Sequence, residues 1–242
     1  MPLYRDEAVV LRTHKLGEAD RIITLLTRQH GRVRAVAKGV RRTTSRWGAR
    51  LEPFTHVDLQ LAVGRSLDVV TQAESLDAFA ARLGDDYDRY TAGTVMLETA
   101  ERLVTEEKEP AVQQFLLLVG GLRAMAGGEH PAGQVLDSYL LRSLSVAGYA
   151  PSFDHCVQCG VEGPHRFFNP SAGGVMCAAD KLPGSATPAP ATVLVLGALL
   201  VGDWPVVHAA DPRHLREASN LVAAYLSWHL ERGLRSMAHL ER

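Results

Sequence analysis

The sequence predicts an α+β protein: a small N-terminal β-barrel, then a helical region that carries an inserted metal-binding element. Three observations lead there. Five short segments in the first 80 residues alternate apolar and polar side chains, the spacing of half-buried strands. From Ala78 onward the apolar spacing lengthens to that of amphipathic helices. All three cysteines lie between residues 156 and 177.

The strands follow in order. Glu7 to Thr13 is branched and apolar and ends at a polar turn. Arg21 to Thr27 follows and closes at Gln29-His30-Gly31. Arg32 to Ala37 alternates basic and apolar residues, so Val33, Ala35 and Ala37 face one side while Arg32, Arg34 and Val36 face the other. Thr55 to Leu61 alternates again, and Leu67 to Ala73 supplies a fifth strand after the turn at Gly64-Arg65-Ser66. Five strands joined by glycine-bearing turns make a small antiparallel barrel, and the five-stranded OB-fold is the commonest with that count.

Helices are expected at Tyr87–Thr105, Ala111–Met125, Gly133–Ala147 and from Pro212 to about Met237. Val135, Leu136, Tyr139, Leu140 and Leu144 return to one face of the third. Asp211 and Pro212 suit the N-cap and first position of the fourth. The expected domains are 1–80, the barrel, and 81–242, the helical part, with the cysteine element inserted at about 152–184. Pro183 to Pro190 reads as a linker leaving that element.

The chain is 46% hydrophobic and 22% charged over 242 residues, ordinary for a globular protein. Its first residues are charged where a signal peptide needs an apolar run, and its longest apolar stretch, Val193–Val201, is too short to span a bilayer. A cytoplasmic protein is expected. The net charge of −1 conceals an asymmetry: residues 1–50 hold twelve Lys/Arg against four Asp/Glu, so +8 there leaves −9 for the remainder. A basic region of this kind suits an anionic partner, and clustering favours nucleic acid over a merely solvated face.

Cys156-Val-Gln-Cys159 is a knuckle whose spacing turns two thiolates toward one Zn²⁺. Cys177-Ala-Ala-Asp180 repeats the spacing, which makes Asp180 the best fourth ligand; His155 and His165 are rivals. Buried free thiols are the structural alternative. Four protein ligands close the site and make it structural, because a catalytic zinc keeps an open position. No His-x-Glu precedes the Cys156-x-x-Cys159 pair, where a zinc deaminase needs it, and no His-Glu-x-x-His occurs, so the zinc deaminase and metalloprotease readings lose their base and ligands. P-loop, nucleophile-elbow and dinucleotide-binding motifs are also missing from the sequence. Glu106-Glu107-Lys108-Glu109 reads as a solvated helix end.

The segment from Val36 to Arg50 is the strongest functional candidate. Lys38, Arg41 and Arg42 lead the set of phosphate-binding cations, followed by Arg32, Arg34, Arg46 and Arg50. Gly39 frees the backbone beside Lys38, and Thr43, Thr44 and Ser45 add short hydroxyl donors. Trp47 has two readings, a base-stacking platform or a plug that packs the loop onto the barrel. The competing reading for the arginines is ion pairing with the acidic remainder of the chain.

Glu7-Ala-Val-Val-Leu11, Gly17-Glu-Ala-Asp20, Leu25-Leu-Thr27 with Gly31, and Ala37-Lys-Gly-Val-Arg-Arg42 with Leu51-Glu-Pro-Phe54 together resemble the N-terminal domain of the bacterial recombination mediator family RecO. The run Leu140 to Pro151, leading into Cys156-x-x-Cys159-Gly160, resembles that family's approach to its zinc element. The resemblance covers nearly the whole chain in order. It implies an OB-fold, a helical C-terminal domain and a structural Zn²⁺. It also implies binding of single- and double-stranded DNA, annealing of complementary strands, and work with RecR to load RecA onto strands coated by SSB at the nucleoid. The family's zinc element usually carries four cysteines, and Asp180 departs from that pattern. Alternatives from other classes are a zinc-ribbon nucleic-acid-binding regulator and a zinc-dependent nucleic-acid enzyme.

Overall fold

The computed structural model describes residues 1–45, 47–230 and 237. Two compact units divide the chain, Met1–Glu129 and His130–Arg242.

In the first unit, β1 (Leu3–Leu16), β2 (Asp20–Thr27), β3 (Gly31–Ala37), β4 (Thr55–Ala62) and β5 (Asp68–Ala78) form a closed barrel in the order β1-β2-β3-β5-β4. Every pairing is antiparallel except β3 with β5, where Ala35 and Val36 meet Asp68 and Val69 in parallel. Closure leaves no free edge for another chain to extend. The alternation in β3 works as expected: Val33, Ala35 and Ala37 are fully buried in the barrel core with Leu25, Leu59 and Val70, and Arg32 and Arg34 project outside. β1 and β5 run several residues beyond their apolar segments, each across register shifts that let a strand bend around a small barrel.

Helices α1 (Phe79–Leu83), α2 (Tyr87–Leu103) and α3 (Val112–Gly127) belong to the same compact unit as the strands. Asp86 caps α2 by accepting from the Arg89 N–H. α2 stops at Leu103, so Glu106–Glu109 is not a helix end. It is a non-helical strap that bridges to Gly31 and Arg32 at the start of β3.

The second unit holds α4 (Ala132–Val146), a two-stranded ribbon of β6 (Phe167–Asn169) and β7 (Gly174–Met176), then α5 (Pro190–Val201), α6 (Trp204–Ala209) and α7 (Pro212–His229). Asp211 caps α7 with Pro212 in its first turn, as expected. The stretch 231–236, which the sequence reading included in that helix, lies outside the described residues. α5 and α6 are missing from the sequence expectation. α5 is apolar on nearly every side, so it shows no 3.6-residue alternation to detect. No helix among the described residues is long and apolar enough to cross a membrane.

Trp47 resolves to the plug. It is 3% exposed in the barrel core with Leu51 and Val40, and its indole N–H donates to the Lys38 carbonyl at 3.0 Å. A buried indole is not available to stack on a base. Trp47→Ala removes that packing and leaves the carbonyl unpaired. Urea unfolding is expected to show a loss of about 3–5 kcal/mol, whereas alanine at exposed Thr43 should leave the midpoint unchanged.

Candidate nucleic-acid interface and metal centre

The basic loop leaves β3 at Lys38 and returns at the short 3₁₀ turn Gly48–Leu51. Gly39 sits at φ +67°, a left-handed conformation that costs little only for glycine. Its N–H donates to the Asp20 carboxylate at 2.7 Å. The Arg41 N–H reaches the Ala19 carbonyl, and its guanidinium donates to the Gly17 and Glu18 carbonyls at 3.1 and 2.9 Å. With Trp47 buried at the far end, the loop is tied to the β1–β2 turn at one side and to the core at the other. A pinned loop presents its remaining cations with less ordering entropy to lose on binding.

The structure sorts the arginines of the first fifty residues. Arg5 pairs with Asp58 at 2.7 Å, Arg12 with Glu101 at 2.7 Å, Arg21 with Glu52 at 2.5 Å and Arg28 with Glu7 at 3.4 Å. Arg34 pairs with Glu107 at 2.6 Å, and Arg32 lies 3.9 Å from the same carboxylate. Lys38 and Arg42 are exposed and, among the described residues, face no acidic partner. Among the described residues Arg41 is held by backbone carbonyls and by no carboxylate, so its charge is not neutralised there. Arg50 is also exposed; Arg46 lies outside the described residues. The ion-pairing reading therefore holds for much of the basic region and, among the described residues, not for Lys38, Arg41 and Arg42. Local sequence shows no sign of this division, because acids such as Glu101 and Glu107 are far along the chain from Arg12 and Arg34.

The second candidate is the cysteine cluster. Gly160 N–H turns back to the Cys156 carbonyl at 2.8 Å and closes the knuckle, while Val157 N–H donates to the Val175 carbonyl at 3.0 Å and fixes it to β7. Cys177 follows β7 directly. One donor atom from each of Cys156, Cys159, Cys177 and Asp180 lies within 4.8 Å of all the others. Cys177 Sγ stands 3.1 Å and Cys156 Sγ 3.5 Å from Asp180 Oδ2, and Cys159 and Cys177 Sγ are 4.0 Å apart. A tetrahedral thiolate site with metal–sulfur bonds of about 2.3 Å has edges of about 3.8 Å, so this spacing fits one small cation. His165 Nε2 is paired with the Val161 carbonyl at 2.8 Å and His155 Nδ1 lies 3.0 Å from Asp154; neither joins the cluster.

The electrostatics agree with the donor set. Backbone N–H groups of Cys159 and Cys177 hold the Cys156 thiol down to about 7. The Cys159 thiol, against the Asp180 carboxylate, is pushed up to about 12. Thiols and a carboxylate crowded in this way resist joint ionisation until a cation sits among them. All four positions come from the protein, which suits a closed structural site and leaves none for a reacting water. Cys156 is 1% exposed beside the buried Phe168, Val175 and Met176, and Phe168 packs on Tyr225 of α7 at 6.0 Å between centroids. The cluster thus organises a ribbon whose apolar face joins the helical core.

Comparisons with known proteins cover the chain. A family described as "Recombination protein O N terminal" matches residues 1–79, and one described as "Recombination protein O C terminal" matches residues 84–238. The chain is 76% identical over 243 residues to a protein of a Nocardioides species named "DNA repair protein RecO", covering 99% of this chain and 100% of that one. Proteins of the same name from Streptomyces avermitilis and Thermobifida fusca are 59% identical over 248 residues and 61% over 242, each covering 100% of both chains.

Proposed function

The chain belongs to the RecO family of DNA repair proteins, and on that premise we propose that it acts as a recombination mediator whose DNA-binding surface is the 38–50 loop of the barrel. Its place is in DNA repair and recombination, and it is not an enzyme. The observation that carries the surface is the pair Lys38 and Arg42: exposed, without acidic partners among the described residues, on a loop anchored by Trp47 and Asp20. Arg41 adds an unneutralised charge, and Arg46 and Arg50 extend the set along the sequence.

We read the barrel, residues 1–80, as an OB-fold. The parallel closure of β3 on β5 supports that reading, as does a basic loop beside the β1–β2 turn, because OB-folds bind oligonucleotides across strands 2–3 and neighbouring loops. The part from 81 to 242 serves partner contacts. Cations on the loop neutralise phosphates of single or double strands and release counterions, which gives affinity without sequence preference. Two strands held close on such a surface anneal because base pairing supplies the free energy, so no catalytic residue is needed. With RecR the protein helps load RecA onto SSB-coated strands in the cytoplasm, at the nucleoid; family membership supports this part of the reading. The resident metal is Zn²⁺ held by Cys156, Cys159, Cys177 and Asp180. When bound it supplies a cross-link between the knuckle and β7, and no chemistry on DNA.

Annealing of complementary single strands by the purified protein, without nucleotide, tests the reading. Accelerated annealing that salt suppresses is expected. A rate equal to that of the strands alone would remove the mediator assignment.

A further inference from the structure

The strap between α2 and α3 covers part of the barrel's basic exterior. Its backbone joins the first residues of β3: Lys108 N–H donates to the Arg32 carbonyl at 3.0 Å. The approach is close enough that a Cβ at Gly31 would stand 1.8 Å from the Glu109 carbonyl oxygen. Its side chains do more. Glu107 accepts from Arg34 Nε at 2.6 Å and lies 3.9 Å from Arg32 Nη2, while the Arg32 guanidinium also donates to the Thr105 carbonyl. Lys108, held at a left-handed φ of +64°, places its ammonium 3.0 Å from Asp68. The Asp68 side chain is fully buried and is further held by the Tyr4 hydroxyl at 2.6 Å and the Gly64 N–H at 3.0 Å.

Arg32 and Arg34 lie on the outer face of the strand that feeds the 38–50 loop. A guanidinium donates to a carboxylate or a phosphate in the same planar geometry. Glu107 therefore occupies these arginines as a nucleic-acid phosphate would. Exposed pairs of this kind are weak, so a polyanion is able to displace the carboxylate. The Lys108–Asp68 contact differs, because it reaches a buried acid and fastens the strap beside the site.

We propose that the 104–111 strap is an autoinhibitory phosphate mimic: Glu107 withholds Arg32 and Arg34 from DNA, and Lys108 latches it there. DNA that enters on Lys38 and Arg42 then releases two further cations by displacing Glu107. This inference rests on the barrel loop being the DNA-binding surface.

The test is anisotropy titration of a fluorescent oligothymidylate with full-length variants of matched unfolding midpoint. Glu107→Gln should tighten binding about five-fold, the upper range for release of an exposed pair, and steepen the salt slope by about 1.4 for two added phosphate contacts. Glu106→Gln removes the same charge from the same strap, and among the described residues Glu106 pairs with no β3 arginine; it should change affinity less than two-fold. Placing Glu107→Gln in an Arg34→Ala background should remove most of its effect. Lys108→Ala gives an opposed sign: lost positive charge alone weakens binding, whereas a released latch tightens it. Glu107→Gln behaving like Glu106→Gln, or Lys108→Ala weakening binding, overturns the proposal. If alanine at Lys38 and Arg42 also leaves affinity unchanged, the fault lies in the underlying surface assignment and not in the strap alone.

Discussion

Alanine at both Lys38 and Arg42 is expected to weaken binding to a single-stranded oligonucleotide by about 25-fold in 0.1 M monovalent salt, since each lost phosphate contact removes a counterion-release factor of about five. The salt slope should fall by about 1.4 for the two contacts together. Both side chains are exposed and, among the described residues, without an acidic partner, so the unfolding midpoint should not move. That is the advantage of this pair over Arg41, whose guanidinium ties the loop to the Gly17 and Glu18 carbonyls and whose loss changes both charge and loop order. Arg5→Ala is the control: it deletes an exposed arginine already neutralised by Asp58, and it should change affinity less than two-fold. If the double variant binds as wild type with an unaltered slope, the loop is not the DNA surface.

Metal removal carries the second large effect. One Zn²⁺ per chain is expected, and chelation should unfold the region around 152–186 and lower the stability of the second unit. Structural zinc in small domains contributes about 10–16 kcal/mol of apparent binding free energy, comparable to or larger than the stability of an ordinary domain, about 5–15 kcal/mol. Here the ribbon supports Phe168 against Tyr225, so loss of the cross-link reaches the helical core. Cys159→Ala should act like chelation, while His165→Ala should leave zinc content unchanged because its ring is engaged with the Val161 carbonyl. Asp180→Ala should lower zinc affinity, and Asp180→Cys should retain or raise it. DNA affinity of the chelated chain should stay within two-fold of the loaded form. An unchanged thermal transition after complete chelation would contradict the structural role.

The sequence carried the parts whose determinants are local. Alternation through Val33, Ala35 and Ala37 is a local pattern, and those residues are the ones buried in the barrel. The Cys-x-x-Cys and Cys-x-x-Asp spacings are local too, and all four donor atoms converge. Determinants that act across the chain were hidden. Arg34 looks the same in sequence whether it faces solvent or Glu107, and only the return of the chain after α2 decides it. Trp47 lies among charged and polar neighbours that suggest exposure, yet the indole fills the barrel core and bonds the Lys38 carbonyl. α5 lacks the alternation that betrays a helix, because its exposed positions are apolar too: Thr192, Val195, Leu196 and Leu199 are buried, while Leu194 and Val201 face solvent.

We propose that DNA meets the chain on the barrel loop and that the metal element is a structural staple with no part in DNA contact. Photocrosslinking the intact, zinc-loaded protein to a single strand carrying 4-thiothymidine, with adducts mapped by mass spectrometry, tests it directly. Adducts concentrated between residues 38 and 50, and lost when competitor DNA or high salt is added, are the predicted result. Adducts confined to residues 152–186, with none on the loop, would contradict it.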